Sequence, residues 1–396
     1  MNAEPSTSIP IDQALHHTRR VLETVMGIPA TEGNAIEIYR NGDQIFAPML
    51  DAISSANRSI DFLTFVYWKG EIGIKFAERF AERARAGVRV RVLLDSWGAQ
   101  TIERTLLDLM KDSGVNIQWF RPLRRLRPRE VNHRTHRKIL VVDERVGFTG
   151  GVGIADAWLG DARSESEWRD THFRIEGPAV DGIRSAFIDN WSEADSHDFE
   201  GEVDQFPDQA QPGTTTLQCV RGNASSNGSD LKRLFQTMLQ LAQHRVRITT
   251  AYFVPEEELC RLLCDGARRG IEIQLLLPGP FADKRFVQLE GDAEYERLME
   301  AGVEIWNFQP SMLHAKIMTI DGMVASVGSA NFNFRSLDCD EELNLVVFDT
   351  SFASDLDRHF DEDLERSVRI DPARWKQRSL TERSLERVVA PLRRFS

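Results

Sequence analysis

A chain of 396 residues is long for one hydrophobic core and comfortable for two. Its 41% hydrophobic and 28% charged residues fit a globular protein, and a net charge of −12 excludes a general nucleic-acid binder with a basic surface throughout. Cys219, Cys260, Cys264 and Cys339 form no CxxC pair, which argues against a disulfide frame and for a reducing compartment.

Residues 1–34 read as a leader. The first fourteen are polar, carry Pro5 and Pro10, and lack an apolar signal core; a helix is expected over Ile11 to Met26. No run approaches the ~18 apolar residues of a membrane span. From Ala35 the pattern becomes regular. Ala35 to Tyr39 alternates as a strand, Asn41-Gly42 marks a turn, and Gln44 to Ala56 has helical spacing. Ser59 to Tyr67 is a nearly continuous apolar strand, Glu71 to Ala86 a helix and Gly87 to Leu94 the next strand. A helix over Ile102 to Lys111 and a strand over Val115 to Phe120 follow. This alternation predicts an α/β sheet with helices on its faces.

Residues 195–214, acidic and then Pro/Gln/Gly-containing, read as a linker between domains over 35–194 and 215–370. Beyond it the order repeats: helix Leu231 to Gln243, strand Val246 to Phe253, helix Glu256 to Arg269, strand Gly270 to Leu277. Ala86-Gly-Val-Arg-Val answers to Arg269-Gly-Ile-Glu-Ile, so one long unit is duplicated. Phe352 to Arg366 should be a helix. The basic tail 371–396, with Leu380, Leu385, Val388 and Leu392 among arginines, is patterned either as an interfacial amphipathic helix, ended or kinked at Pro391, or as a segment packed on the body of the protein.

The duplication carries the chemistry. His136-Arg-Lys138 is followed by four residues, Asp143, six residues and Gly150; His314-Ala-Lys316 is followed by four, Asp321, six and Gly328. Two copies at the same internal spacing, 178 positions apart, do not arise by chance. Alternation along a strand puts His136 with Lys138, and His314 with Lys316, on one face. Asp143-Glu144 and Asp321-Gly322 suit tight turns, and Gly150-Gly151 and Gly328-Ser329 offer backbone N–H groups to an anion.

The two strings resemble the HKD motifs of the phospholipase D superfamily over about residues 34–350. Gly151 to Asp156, Trp168 to His172, Gly328 to Phe332, Arg335-Ser336 and Glu342 to Asn344 are most similar to the bacterial cardiolipin synthase branch. The resemblance implies two tandem α/β/α sandwich domains related by a pseudo-two-fold axis, with the active site at their interface. It implies His136 as nucleophile, forming a phosphohistidine, and His314 as acid and base. Lys138 and Lys316 would stabilise phosphoryl charge, with Asn331, Ser329 and Gly151 binding substrate. Asp143 and Asp321 belong to the motif as catalytic positions or as turn-holding ones. Asp170 and Glu342, at 34 and 28 residues past the histidines, match the orienting acids. Where the second half has Asn331, three after Gly328, the first has Gly153. No cofactor or metal is implied, since two lysines supply the positive charge.

Substrate class needs a separate argument. A basic segment with Arg121, Arg124, Arg125, Arg127 and Arg129 precedes the first motif and has no counterpart in the second half. It suits an anionic bilayer and would equally hold a nucleic-acid backbone. The leading expectation is a monomeric phosphatidyl transferase acting on phosphatidylglycerol, with a lipid alcohol as acceptor, at the inner face of the cell membrane and without nucleic acid. Hydrolysis of phospholipid or nucleic acid is the alternative, and an inactive membrane-surface protein the third reading.

Overall fold

The computed structural model describes residues 10–122, 133–194, 207–223, 230–283 and 294–377. The first half supplies β1 (Thr31–Arg40), β2 (Ser59–Thr64), β3 (Arg89–Asp95), β4 (Asn116–Phe120), β5 (Ile139–Val142), β6 (Val146–Gly150) and β7 (Thr171–Glu176). The second supplies β8 (Thr215–Gly222), β9 (Arg245–Thr249), β10 (Phe253–Val254), β11 (Glu272–Pro278), β12 (Glu304–Phe308) and β13 (Ile317–Ile320). β14 (Val324–Gly328), β15 (Phe332–Asn333), β16 (Glu342–Phe348) and β17 (Ser367–Arg369) complete it.

Among the described residues the larger sheet runs β4-β3-β2-β5-β6-β7-β1-β8-β16-β14-β13-β9-β11-β12-β17. About the β1–β8 junction the order is a mirror: β2 answers to β9, β3 to β11, β5 to β13, β6 to β14 and β7 to β16. Pairing directions match as well, with β2–β3 and β9–β11 parallel, and β2–β5 and β9–β13 antiparallel. β1 is shared between the sheets. Ala35 to Arg40 pairs with β7, while Thr31 and Asn34 pair with β8 across a register shift.

The apolar pattern explains the layers. All six residues of β2 are buried, because helices cover both faces. On one side the helix Glu71–Arg85 presents Ile72, Phe76, Ala77, Phe80 and Ala81 at helical spacing. On the other, the helix Ala179–Ala194 contributes Val180, Ile183, Phe187 and Trp191 to a core that also takes Leu63 and Phe173 from the first half and Leu217, Val327, Leu343 and Leu345 from the second. That shared core locks the halves together. Asp61, the one charge inside β2, is matched by Arg91 at 2.8 Å and Arg184 at 3.0 Å, which hold its carboxyl below the usual range despite its burial.

Two expectations change. The helix Ile11–Met26 is no separate leader: Leu22 and Met26 are buried in the second half's core, and β1 already starts at Thr31. Asn41-Gly42 is not a free turn but the start of the helix Asn41–Ser54. Asn41 has φ +57°, its N–H donates to the Asp170 carbonyl at 3.0 Å, and a Cβ on Gly42 would lie 2.0 Å from the Trp158 carbonyl oxygen. Most of the predicted linker and tail lies outside the described residues; Trp375, at the start of the tail, stacks on Tyr295 with ring centroids 5.4 Å apart.

Candidate active site

β5 and β13 run antiparallel to β2 and β9, so their first residues lie at the carboxyl ends of those strands. Each His-x-Lys string leads into one of these starts, the usual place for chemistry in an α/β sheet. Two short bridges then join the halves. His136 N–H donates to the Glu341 carbonyl at 2.8 Å, and Glu341 N–H to that of Arg134 at 2.8 Å. His314 N–H donates to the Arg169 carbonyl at 2.7 Å, and Arg169 N–H to that of Met312 at 2.9 Å. Each motif is thereby laid against the strand start of the opposite half.

The orienting acids are consequently crossed. His136 Nδ1 lies 2.9 and 3.1 Å from the Glu342 carboxylate oxygens, and His314 Nδ1 lies 2.8 Å from Asp170 Oδ2. Counting along the sequence pairs Asp170 with His136 and Glu342 with His314; the fold reverses both. An Nδ1–H donated to a carboxylate fixes the tautomer and leaves Nε2 of each ring for chemistry.

The glycines after each motif serve the acids, not an anion. A Cβ on Gly151 would lie 2.1 Å from Asp170 Oδ1, and one on Gly328 would lie 2.2 Å from the Leu343 carbonyl oxygen. The Gly151 N–H is spent on the Thr171 carbonyl (3.2 Å) and the Ser329 N–H on that of Leu343 (3.0 Å), so neither is offered to substrate. Ser329 itself is buried, its hydroxyl accepting from the Leu343 N–H at 3.0 Å and facing Glu342. Gly151 and Ser329 thus hold the acids; Asn331, by contrast, lines the pocket.

Asp143 and Asp321 are also removed from the histidines. Asp143 accepts the N–H groups of Asn57, Arg58 and Ser59 at 2.7–3.1 Å; Asp321 accepts those of Gln243, His244 and Arg245 at 2.7–2.9 Å. Both sit at φ above +50° or close to it, Asp143 at +50° and Asp321 at +53°, in the tight turns at the far ends of β5 and β13. There they tie each turn to the strand beside it. That is a structural duty.

Two residues holding the acids are given no such role by the sequence: Trp158 is not singled out there, and Ser336 enters only with Arg335 in the family resemblance. Trp158 Nε1–H donates to Asp170 Oδ2 at 2.8 Å, and the Ser336 hydroxyl bonds Glu342. Trp158 and Ser336 each stand eight positions after their motif's first glycine, a signal available in the sequence but of unlike chemistry. Val66, with Trp158 behind it, explains Gly153: a Cβ there would lie 2.7 Å from Val66 Cβ and 3.2 Å from the Trp158 ring.

Electrostatics separate the two stations. Burial alone would raise the Asp170 carboxyl, but His314, Lys316 and the Thr171 N–H hold it below the usual range. Burial, reinforced by Lys316, pushes His314 down to about 4 against the pull of Asp170, so the ring is neutral near pH 7. Lys316 Nζ lies 3.0 Å from His314 Nδ1 and donates to the His314 carbonyl. Because Nδ1–H points at Asp170, that approach is a charge contact. In the other station burial raises Glu342 to about 7 despite Lys138 and the two serines. Burial likewise lowers Lys138 to about 7, with Lys316 adding and Glu342 opposing. Lys138 donates to the His136 carbonyl at 2.6 Å.

Both histidines open into one pocket of about 120 Å³, with Lys138, Asn331, Arg335 and Asp340 on its polar side. Phe65, Trp68, Trp158, Trp168 and Tyr252 form its aromatic wall. Among the described residues no group of three or more His, Cys, Asp or Glu is arranged to hold a metal ion. Of the expected membrane patch, Arg121 is tied to Glu193 at 2.6 Å and Glu341 at 3.3 Å and lies over the Phe120 ring, so it is no open cation; Arg124, Arg125, Arg127 and Arg129 lie outside the described residues.

Fold and site define a two-histidine, phospholipase D-like protein whose centre is assembled from both halves. The comparisons narrow this. Residues 49–167 and 235–364 match the family described as cardiolipin synthase, PLD-like domain, and the chain belongs to that family. Cardiolipin synthase 1 of Bacillus cereus is 32% identical over 97% of this chain and 78% of its own length. The major cardiolipin synthase ClsA of Bacillus subtilis is 30% identical over 91% and 76%. Among solved structures, the phosphatidylserine synthase of Haemophilus influenzae shares the fold with a TM-score of 0.72 at 15% identity, covering 96% of this chain and 97% of that one.

Proposed function

We propose that this chain is a phosphatidyl transferase of the cardiolipin synthase type, taking the phosphatidyl group from phosphatidylglycerol and passing it to a lipid alcohol. The observation that carries it is the crossed pair of histidine–carboxylate contacts around one pocket, in a chain whose relatives are cardiolipin synthases. Nε2 of His136 attacks phosphorus, the bond to the glycerol oxygen breaks, and His314 protonates the departing alkoxide. A phosphodiester anion in the pocket raises the His314 proton affinity from its low resting value. His314 then takes the proton of the acceptor hydroxyl, whose oxygen displaces His136 and yields cardiolipin.

Lys138 and Asn331, which line the pocket, bind the phosphoryl oxygens, and Lys316, 3.0 Å from His314 Nδ1, adds positive charge beside them. The aromatic wall lowers water access and favours an alcohol over hydrolysis. The protein acts as a monomer at the inner face of the membrane, with no obligatory metal. Incubation with phosphatidylglycerol vesicles should release free glycerol and form cardiolipin; phosphatidic acid as the sole lipid product would overturn the transfer reading. His314→Asn, given a donor with an activated leaving group, should accumulate an acid-labile phosphoryl adduct that peptide mapping places on His136. An adduct on neither histidine would refute the mechanism.

A further inference from the structure

Among the described residues six large hydrophobic side chains are exposed, and only two of them are aromatic: Trp97 at 54% and Phe281 at 37%. They are not scattered. Trp97 is the second residue past β3 and Phe281 the third past β11, and β3 and β11 are mirror equivalents in the two halves. Both connections lie at the strand ends that carry the histidines. Gly98, next to Trp97, packs on Phe65 and accepts the Trp68 indole N–H at 3.1 Å, and Phe65 and Trp68 line the pocket. Asp283, two residues past Phe281, lines the pocket too and accepts the Tyr252 hydroxyl at 2.8 Å.

The Trp97 connection is held firmly. Asp95 Oδ1 accepts the N–H groups of Trp97 (2.8 Å) and Gly98 (3.1 Å), while its Oδ2 binds Arg134 (3.0 Å) and the Thr135 N–H (3.2 Å) just ahead of His136. An exposed indole on a fixed loop has no folding reason to face water.

We propose that Trp97 and Phe281 are paired membrane anchors, inserting into the interfacial region of a phospholipid bilayer on either side of the pocket mouth. The occupant follows from the pocket. A volume of about 120 Å³ takes a phosphodiester head group and excludes two acyl chains, which must therefore stay in the bilayer while the phosphate enters. Among the described residues no helix is long and apolar enough to cross a membrane. Trp and Phe suit that layer. The whole chain carries a net charge of −12, so apolar insertion adds attraction beyond what the local basic segment ahead of the first motif can supply. This inference rests on the lipid-substrate reading above and specifies how the site meets that substrate.

The test is co-sedimentation of the full chain with phosphatidylglycerol vesicles, alongside turnover of vesicular lipid and of a short-chain phosphatidylglycerol below its micelle concentration. Trp97→Ala/Phe281→Ala should weaken vesicle partitioning by at least about tenfold, with a matching loss on vesicles. Turnover of the soluble short-chain lipid should stay within about twofold, since neither side chain lines the pocket. Trp97→Phe should retain binding. Unchanged partitioning of the double variant, or an equal loss on soluble and vesicular substrate, overturns the anchors. So does a gel-filtration shift showing that the two residues hold a dimer. Failure of the wild type on both substrates would instead defeat the lipid-enzyme reading beneath it.

Discussion

Asp170 receives an indole N–H from Trp158 and a backbone N–H from Thr171, whereas Glu342 receives two serine hydroxyls. The first acid stays ionised below the usual range, while burial lifts the second to about 7. Duplication preserved the placement of the histidines, lysines and acids and let the donors around the acids diverge. The pair teaches that a symmetric scaffold can give its two histidines unequal carboxylate partners through the donors placed around each acid.

The sharpest way to break the comparison is to neutralise each acid. Asp170→Asn removes a charge that is fully present at pH 7 and should cut kcat by about 10³-fold, as a buried carboxylate-to-amide change beside a catalytic histidine does. Glu342→Gln should cost only about tenfold at pH 7, because Glu342 is already partly protonated there. The pH profile sharpens this. Below about 7 Glu342 takes up a proton and His136 loses its anionic partner; above about 7 Lys138 loses its charge. Activity should peak near neutrality, with limbs belonging to the coupled pair, and Glu342→Gln should abolish the acid limb. A retained acid limb in that variant would contradict the assignment.

Smaller effects should follow at the donors. Trp158→Phe deletes one hydrogen bond to a charged oxygen and should lower kcat about tenfold, while Ser336→Ala, with Ser329 still in place, should cost about threefold. Equal losses would argue against the inequality of the stations. The smallest effect on rate belongs to Asp143→Ala and Asp321→Ala. Each should lower unfolding free energy by about 1–2 kcal/mol, by similar amounts in the two halves, with kcat within about twofold by steady-state assay.

The doubled His-x-Lys spacing made the duplicated α/β fold readable from the sequence and singled out the two histidines that the fold brings to one pocket, because a strand fixes which side chains share a face. What stayed hidden depended on contacts far apart in sequence. Nothing in the spacing of 34 and 28 residues discloses that each acid serves the other half's histidine. Gly151 and Ser329 read as anion binders since small residues at a turn do either job, and only the 2.1 Å clearance problem at Gly151 shows which. Trp158 and Ser336 occupy equivalent positions yet look unrelated as letters. Arg121 advertised a free cation, but Glu193 and Glu341 claim it.

The exchange of acids across the interface has a consequence for control. A separation of an ångström or so between the lobes would strip both imidazoles of their carboxylates simultaneously, so the centre has no partly competent state.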